Sequence, residues 1–280
     1  FGVRVDAVGE DGVSREIHAA DLGDVFLAAS QRPVTISRFA SLWFFNDPLS
    51  TGRGAIDRML AFKPTCVFAV DFLFWYGYGS TNAQGRRLEN EEQRLGLLEV
   101  GLSELDRIVK TGIPVVVGDF PNMEASVGRM LRAEQLPKRE TLERLNARLH
   151  EWAKTRQNVR VLPLSTLVPS LETGQSVDIR GRAWSKANDG ELIQRDRLHP
   201  TFAGAMAMLA KACELMDLCV ASDGDGNTSS ATVETTVTVC DETLCFEPVK
   251  LRERFIQQVR EGRRRSAPND AGPPQPSNAE

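Results

Sequence analysis

Histidine is scarce in this sequence, 3 among 280 residues, and tyrosine scarcer still at 2. Any imidazole-based acid–base or metal chemistry is therefore confined to His18, His150 and His199. Five cysteines (Cys66, Cys213, Cys219, Cys240 and Cys245) are too few to staple a chain of this size, which excludes a disulfide scaffold. No histidine or second cysteine pair accompanies them at metal-ligand spacing, so no metal site is expected. No apolar run approaches the roughly 20 residues that span a bilayer, and a soluble domain without a membrane span is expected. Positive charge is also short: the formal net charge is −4, and the one basic cluster, Arg252 to Arg265, lies in the tail. Nucleic acid is not an expected partner, because phosphate binding needs a clustered positive field.

Several fingerprints are missing as well. There is no Gly-x-Ser-x-Gly elbow, no phosphate-cradling glycine loop and no dinucleotide motif, which argues against α/β-hydrolases, P-loop enzymes and Rossmann dehydrogenases. No organic cofactor is expected. The first residue is Phe1 rather than Met, so a fragment or a processed product is expected, and a removed N-terminal signal would make the protein an exported one.

What is present is an ordinary globular composition, 41% hydrophobic and 26% charged, enough for one large domain with a small appendage. Val34-Thr35-Ile36-Ser37-Arg38 reads as a short β-branched strand entered through Pro33. After the glycine-containing segment Ser50 to Gly54, Ile56, Met59 and Leu60 share one face of a helix. Cys66 to Val70 and Pro114 to Asp119 are continuously apolar, as strands buried on both faces are. Between them a long amphipathic helix runs from about Asn90 to Lys110. A second helix, about Lys138 to Thr155, carries Leu142, Leu145, Leu149 and Trp152, and a strand follows at Val159 to Leu164. The last helix opens after Pro200. This alternation predicts a three-layer α/β/α domain over residues 1–221, flavodoxin-like, with a central parallel sheet whose ligands lie beyond the strands' carboxyl ends. Residues 222–230 read as a linker, 231–262 as a hairpin-and-helix appendage and 263–280 as a disordered tail. Cys240 and Cys245 could close the hairpin in an oxidising compartment.

The most informative stretch is Asp196-Arg197-Leu198-His199-Pro200, with Gly204 one turn further on. A carboxylate three residues before a histidine can accept the imidazole Nδ1 proton, which fixes the tautomer and turns Nε2 toward a hydroxyl nucleophile. Pro200 restrains His199 and suits the first turn of a helix. Such a pair also arises by chance; its place after the last strand and before the last helix favours the catalytic reading. His18 and His150 have no partner pattern, and His150 is expected at the surface or boundary of its helix.

The block Asp196-x-x-His199-Pro200 with Gly204, and the helix Leu145 to Leu149 leading to the strand at Val159, resemble the SGNH/GDSL hydrolases over about residues 33 to 220. The resemblance implies an ester hydrolase with a Ser-His-Asp mechanism acting on a small-molecule acyl ester, with His199 as base and then acid and Asp196 orienting it. It also implies a serine in a Gly-Asp-Ser turn near the N-terminus, and an oxyanion hole built from the serine amide, a glycine amide and an asparagine. This chain departs from the pattern twice. Gly-Asp-Ser is absent; Gly118-Asp119 is followed by Phe120. The resemblance places the nucleophile turn about 25–35 residues before the second strand. That count reaches back from Val34 to Phe1-Gly2-Val3, so the serine is expected upstream of residue 1. At the strand ending in Asp71 the chain lacks the asparagine donor, a loss worth on the order of 3 kcal/mol of transition-state stabilisation. Gly52 is the candidate oxyanion amide, with a plain helix-entry glycine as the alternative. Asp71 and Trp75, within the aromatic run Phe72 to Tyr78, are candidates for an apolar pocket, with core packing as the alternative. Two other functions stay open: a degenerate SGNH-like domain that binds carbohydrate or protein, and an unrelated flavodoxin-like binding domain.

Overall fold

A computed structural model describes residues 3–8, 14–41, 44–82, 85–222 and 243–260. In chain order its elements are β1 (Val3–Val8), β2 (Ser14–Ala20), α1 (Leu22–Ala29), α2 (Pro48–Phe62), β3 (Val67–Ala69), α3 (Phe74–Tyr78), α4 (Glu92–Val109), β4 (Val115–Gly118), α5 (Arg139–Lys154), β5 (Val159–Leu162), α6 (Leu164–Thr173), β6 (Val177–Ile179), β7 (Arg182–Trp184), α7 (Lys186–Asp189), α8 (Phe202–Ser222) and α9 (Pro248–Arg260).

The apolar runs form a parallel sheet in the order β3-β4-β5, with Val67 beside Val115 and Val115 beside Val159. Parallel neighbours need a crossover, and α4 and α5 supply the two. The central strand is buried along its whole length, with Val115, Val116 and Val117 at zero exposure. Leu98, Leu102 and Leu105 bury one face of α4, and Leu145, Leu149 and Trp152 one face of α5. Residues spaced by three or four share a face, so both helices present an apolar stripe. α5 packs on β5, α8 on β4 and β5, and α4 on α2, α3 and α5. The fold is thus mixed α/β, and no helix among the described residues is long and apolar enough to cross a membrane.

Three expectations need correction or refinement. Residues 33–41 carry no strand: Val34 is 38% exposed, and β propensity alone cannot hold a segment that has no ladder partner. Arg38 there instead pairs with Asp21 and Asp24 at the start of α1, both at 2.8 Å. The next helix starts earlier than expected, at Pro48, with Asp47 Oδ1 accepting from Ser50 N at 3.0 Å. Proline is suited to that first position because its missing N–H would have no partner there. The C-terminal helix exists as α9, with Leu251 and Phe255 each 1% exposed, and it lies on α1. Residues 243–245 join it to the same place: Cys245 N donates to Ala29 O at 2.9 Å and Gln31 N to Thr243 O at 2.8 Å. Cys245 is disulfide-bonded; Cys240, the predicted linker after Ser222 and the predicted tail lie outside the described residues.

Candidate active site

The loop that carries the histidine is tied off at its base. Thr201 N donates to Leu192 O at 2.9 Å, and Thr201 Oγ1 donates to Glu191 O at 2.7 Å while accepting from Gly204 N at 3.2 Å. Thr201 thereby caps α8 and fixes it to the incoming chain. Gly204 makes this approach possible: a Cβ at that position would stand 1.9 Å from Leu192 O. Gln194 closes the loop from the other side. Its N–H donates to His199 O and its Nε2 to Pro200 O, both at 2.8 Å, and its carbonyl accepts from Arg197 N at 3.0 Å.

Within this frame the chain reverses at Arg197, which adopts the left-handed conformation with φ +61°. Few non-glycine residues take that conformation, and here it turns the Asp196 carboxylate back toward the following backbone. Oδ1 accepts from the amides of Leu198 and His199, each at 3.0 Å, and Oδ2 lies 2.8 Å from His199 Nδ1. A carboxylate accepts, so Nδ1 carries the proton and Nε2 is the basic atom. Burial alone would raise the Asp196 carboxyl; the His199 ring and the two amides outweigh it and hold the acid below the usual aspartate range. Both side chains keep about a quarter of their surface exposed, 25% for His199 and 23% for Asp196. The loop is braced by Arg129, which donates to Arg195 O, and by Arg197, which pairs with Glu172 at 3.2 Å.

A second polar cluster follows β4. Asp119, 1% exposed in its side chain, accepts from Ser165 N and Ser165 Oγ, each at 2.6 Å, and lies 3.5 Å from His150 Nε2. It caps α6 from another element, the 46-residue separation leaving no trace in local sequence. His150 is exposed on its helix, within the expected surface or boundary placement, but with a partner that spacing did not reveal.

No family model matches the chain, nor does any curated protein or solved structure. The site therefore rests on its own geometry.

The remaining candidates lie on α2, on α3 and on the turn before α3. Gly52 is buried inside α2 against α3, where a Cβ would stand 2.2 Å from the Tyr76 hydroxyl. That contact accounts for the glycine by packing, and its amide belongs to the body of a helix. Asp71 is exposed just after β3. Trp75 is half-buried between the rings of Phe45 and Phe74, at centroid distances of 5.8 and 5.0 Å. Most of the aromatic run packs inward: Tyr76 and Tyr78 have no exposure, and their hydroxyls donate to the carbonyls of Pro48 and Pro121. Among the described residues no three His, Cys, Asp or Glu side chains converge as metal ligands would. Phe1 and Gly2 lie outside the described residues, and Val3 opens β1.

Proposed function

We propose that this chain carries the acid–base half of an ester hydrolase in a three-layer, SGNH-like α/β/α domain. The observation that carries the reading is the His199 ring held at Nδ1 by Asp196 Oδ2 at 2.8 Å, while two backbone amides hold the other carboxylate oxygen. A carboxylate with three donors is fixed in place, so the imidazole it holds is oriented before any substrate arrives. In the reaction His199 Nε2 takes the proton of a serine hydroxyl as that oxygen attacks the ester carbonyl. It then returns the proton to the leaving alkoxide, and water hydrolyses the acyl-enzyme by the same route. The nucleophile is the serine that the family resemblance implies; the count that set it upstream of Phe1 began at a strand at Val34, which residues 33–41 do not form. The substrate class is a small-molecule acyl ester, and the chemistry requires no metal or organic cofactor.

The test assays the 280-residue chain, and a form extended at its N-terminus, on a short-chain chromogenic ester. His199→Ala is expected to lower kcat/KM by about 10²–10⁴. Turnover equal to the parent would remove His199 from the mechanism.

One observation favours a second reading, a degenerate SGNH-like domain that binds rather than cleaves. The end of β3 presents an exposed Asp71 where the family's oxyanion asparagine stands. A fluorophosphonate labels only an activated serine. Labelling of the extended form supports the hydrolase; its absence, in a folded protein, supports the binding domain.

A further inference from the structure

A cleft of about 560 Å³ lies between the last turns of α5 and β5, away from the loop of Asp196 and His199. β5 ends the strand order, with β4 its one ladder neighbour among the described residues. The lining includes four basic side chains, His150, Lys154, Arg156 and Arg160, and no carboxylate; the half-buried Ala153 and Val161 contribute apolar surface. Arg156 is immobilised by Asp106, with Nε and Nη2 at 2.8 and 3.1 Å from its oxygens, and stacks 4.6 Å over Trp152. Arg160 is likewise anchored, its Nη1 donating to the carbonyls of Gln157 and Val159 at 2.7 and 3.0 Å. Lys154 is exposed and has no ion-pair partner among the described residues. The volume falls within the range of small-molecule sites, roughly 300–1,000 Å³.

We infer that this cleft binds a small phosphate monoester, its phosphate against Lys154 and Arg160 and its organic part on Ala153 and Val161. A tetrahedral dianion can accept from donors in several directions at once. The lysine supplies a mobile point charge and Arg160 a planar cation held in place by nearby backbone carbonyls, a combination that suits phosphate. The apolar side chains give the ester an advantage over the bare ion. This site is independent of the ester-hydrolase reading and stands or falls without it.

The probes are phenyl phosphate and inorganic phosphate, titrated into the 280-residue chain and followed by calorimetry and by NMR. Phenyl phosphate is expected to saturate one site, to bind more tightly than inorganic phosphate, and to perturb resonances of His150, Lys154 and Val161. Lys154→Glu should weaken it about tenfold, the loss of one charge-assisted hydrogen bond. Lys138→Glu, at the N-cap of the same helix and about 24 Å away along its axis, should leave binding unchanged. Both replacements are at exposed positions, so each variant is expected to fold. Failure of phenyl phosphate to saturate, an unaltered affinity in Lys154→Glu, or an equal loss in Lys138→Glu would each overturn the inference.

Discussion

Asp196 illustrates how much one side chain can organise. Its two oxygens serve three donors within four residues, and the left-handed turn at Arg197 makes that geometry possible. The spacing of acid and imidazole was readable from sequence, because two intervening residues are enough for a turn. The tautomer also followed from residue type. The frame around the pair was not readable: Gln194, Thr201 and Leu192 act through backbone groups that carry no residue signature. Because its folded-state acidity is enhanced, Asp196 adds stability above the ordinary aspartate value and loses it as pH falls through the lowered folded value. Asp196→Asn is therefore expected to cost about 1 kcal/mol at neutral pH, allowing for solvent screening of a partly exposed group. Denaturant melts across pH should show that deficit closing below the ordinary aspartate range. A deficit constant down to strong acid would mean that the carboxylate's charge is not what the loop uses.

At the scale of elements, the legible ones are those whose signal is local. β4 and β5 are short apolar runs, and α4 and α5 repeat leucine at helical spacing. Segment 34–38 has the same β-branched character as a strand, yet pairing rather than propensity decides whether a strand forms. α6 escaped because its cap, Asp119, comes from the end of the neighbouring strand β4 rather than from its own flank. Arg94 is a similar long-range device. Buried to 3%, it donates to the carbonyls of Gly77, Gly79, Glu134 and Gln135, tying α4 to the end of α3 and to the segment before α5. Arg94→Met keeps most of the bulk but strands those acceptors. Unfolding by urea should then show a loss on the order of 3 kcal/mol, since each unsatisfied buried polar group costs about 1–3 kcal/mol. A loss under about 0.5 kcal/mol would mean that other donors replace the guanidinium.

For the whole molecule, alternation of strand and helix conveyed the fold class, and the order of motifs placed the histidine loop after the last parallel strand and before α8. Sequence order could not convey which distant pieces meet. α9 returns to α1, and its Phe255 lies 5.4 Å from Phe202, the first residue of the helix that carries the histidine loop. Ser165 and His150 converge on Asp119 from two different elements. Such meetings depend on packing between faces, and no spacing rule encodes them. The same limit applies to Gly52, whose environment is set by Tyr76 on another helix.

The most direct measurement is the protonation state of the two His199 ring nitrogens by ¹⁵N NMR, in the 280-residue chain at a pH where the imidazole is neutral. The expected result is a proton on Nδ1, slow to exchange, with Nε2 unprotonated, and a mixture of tautomers once Asp196 is replaced by Asn. A neutral ring protonated at Nε2, or one whose tautomer ignores the Asp196 substitution, would contradict the assignment of His199 as an aspartate-oriented base.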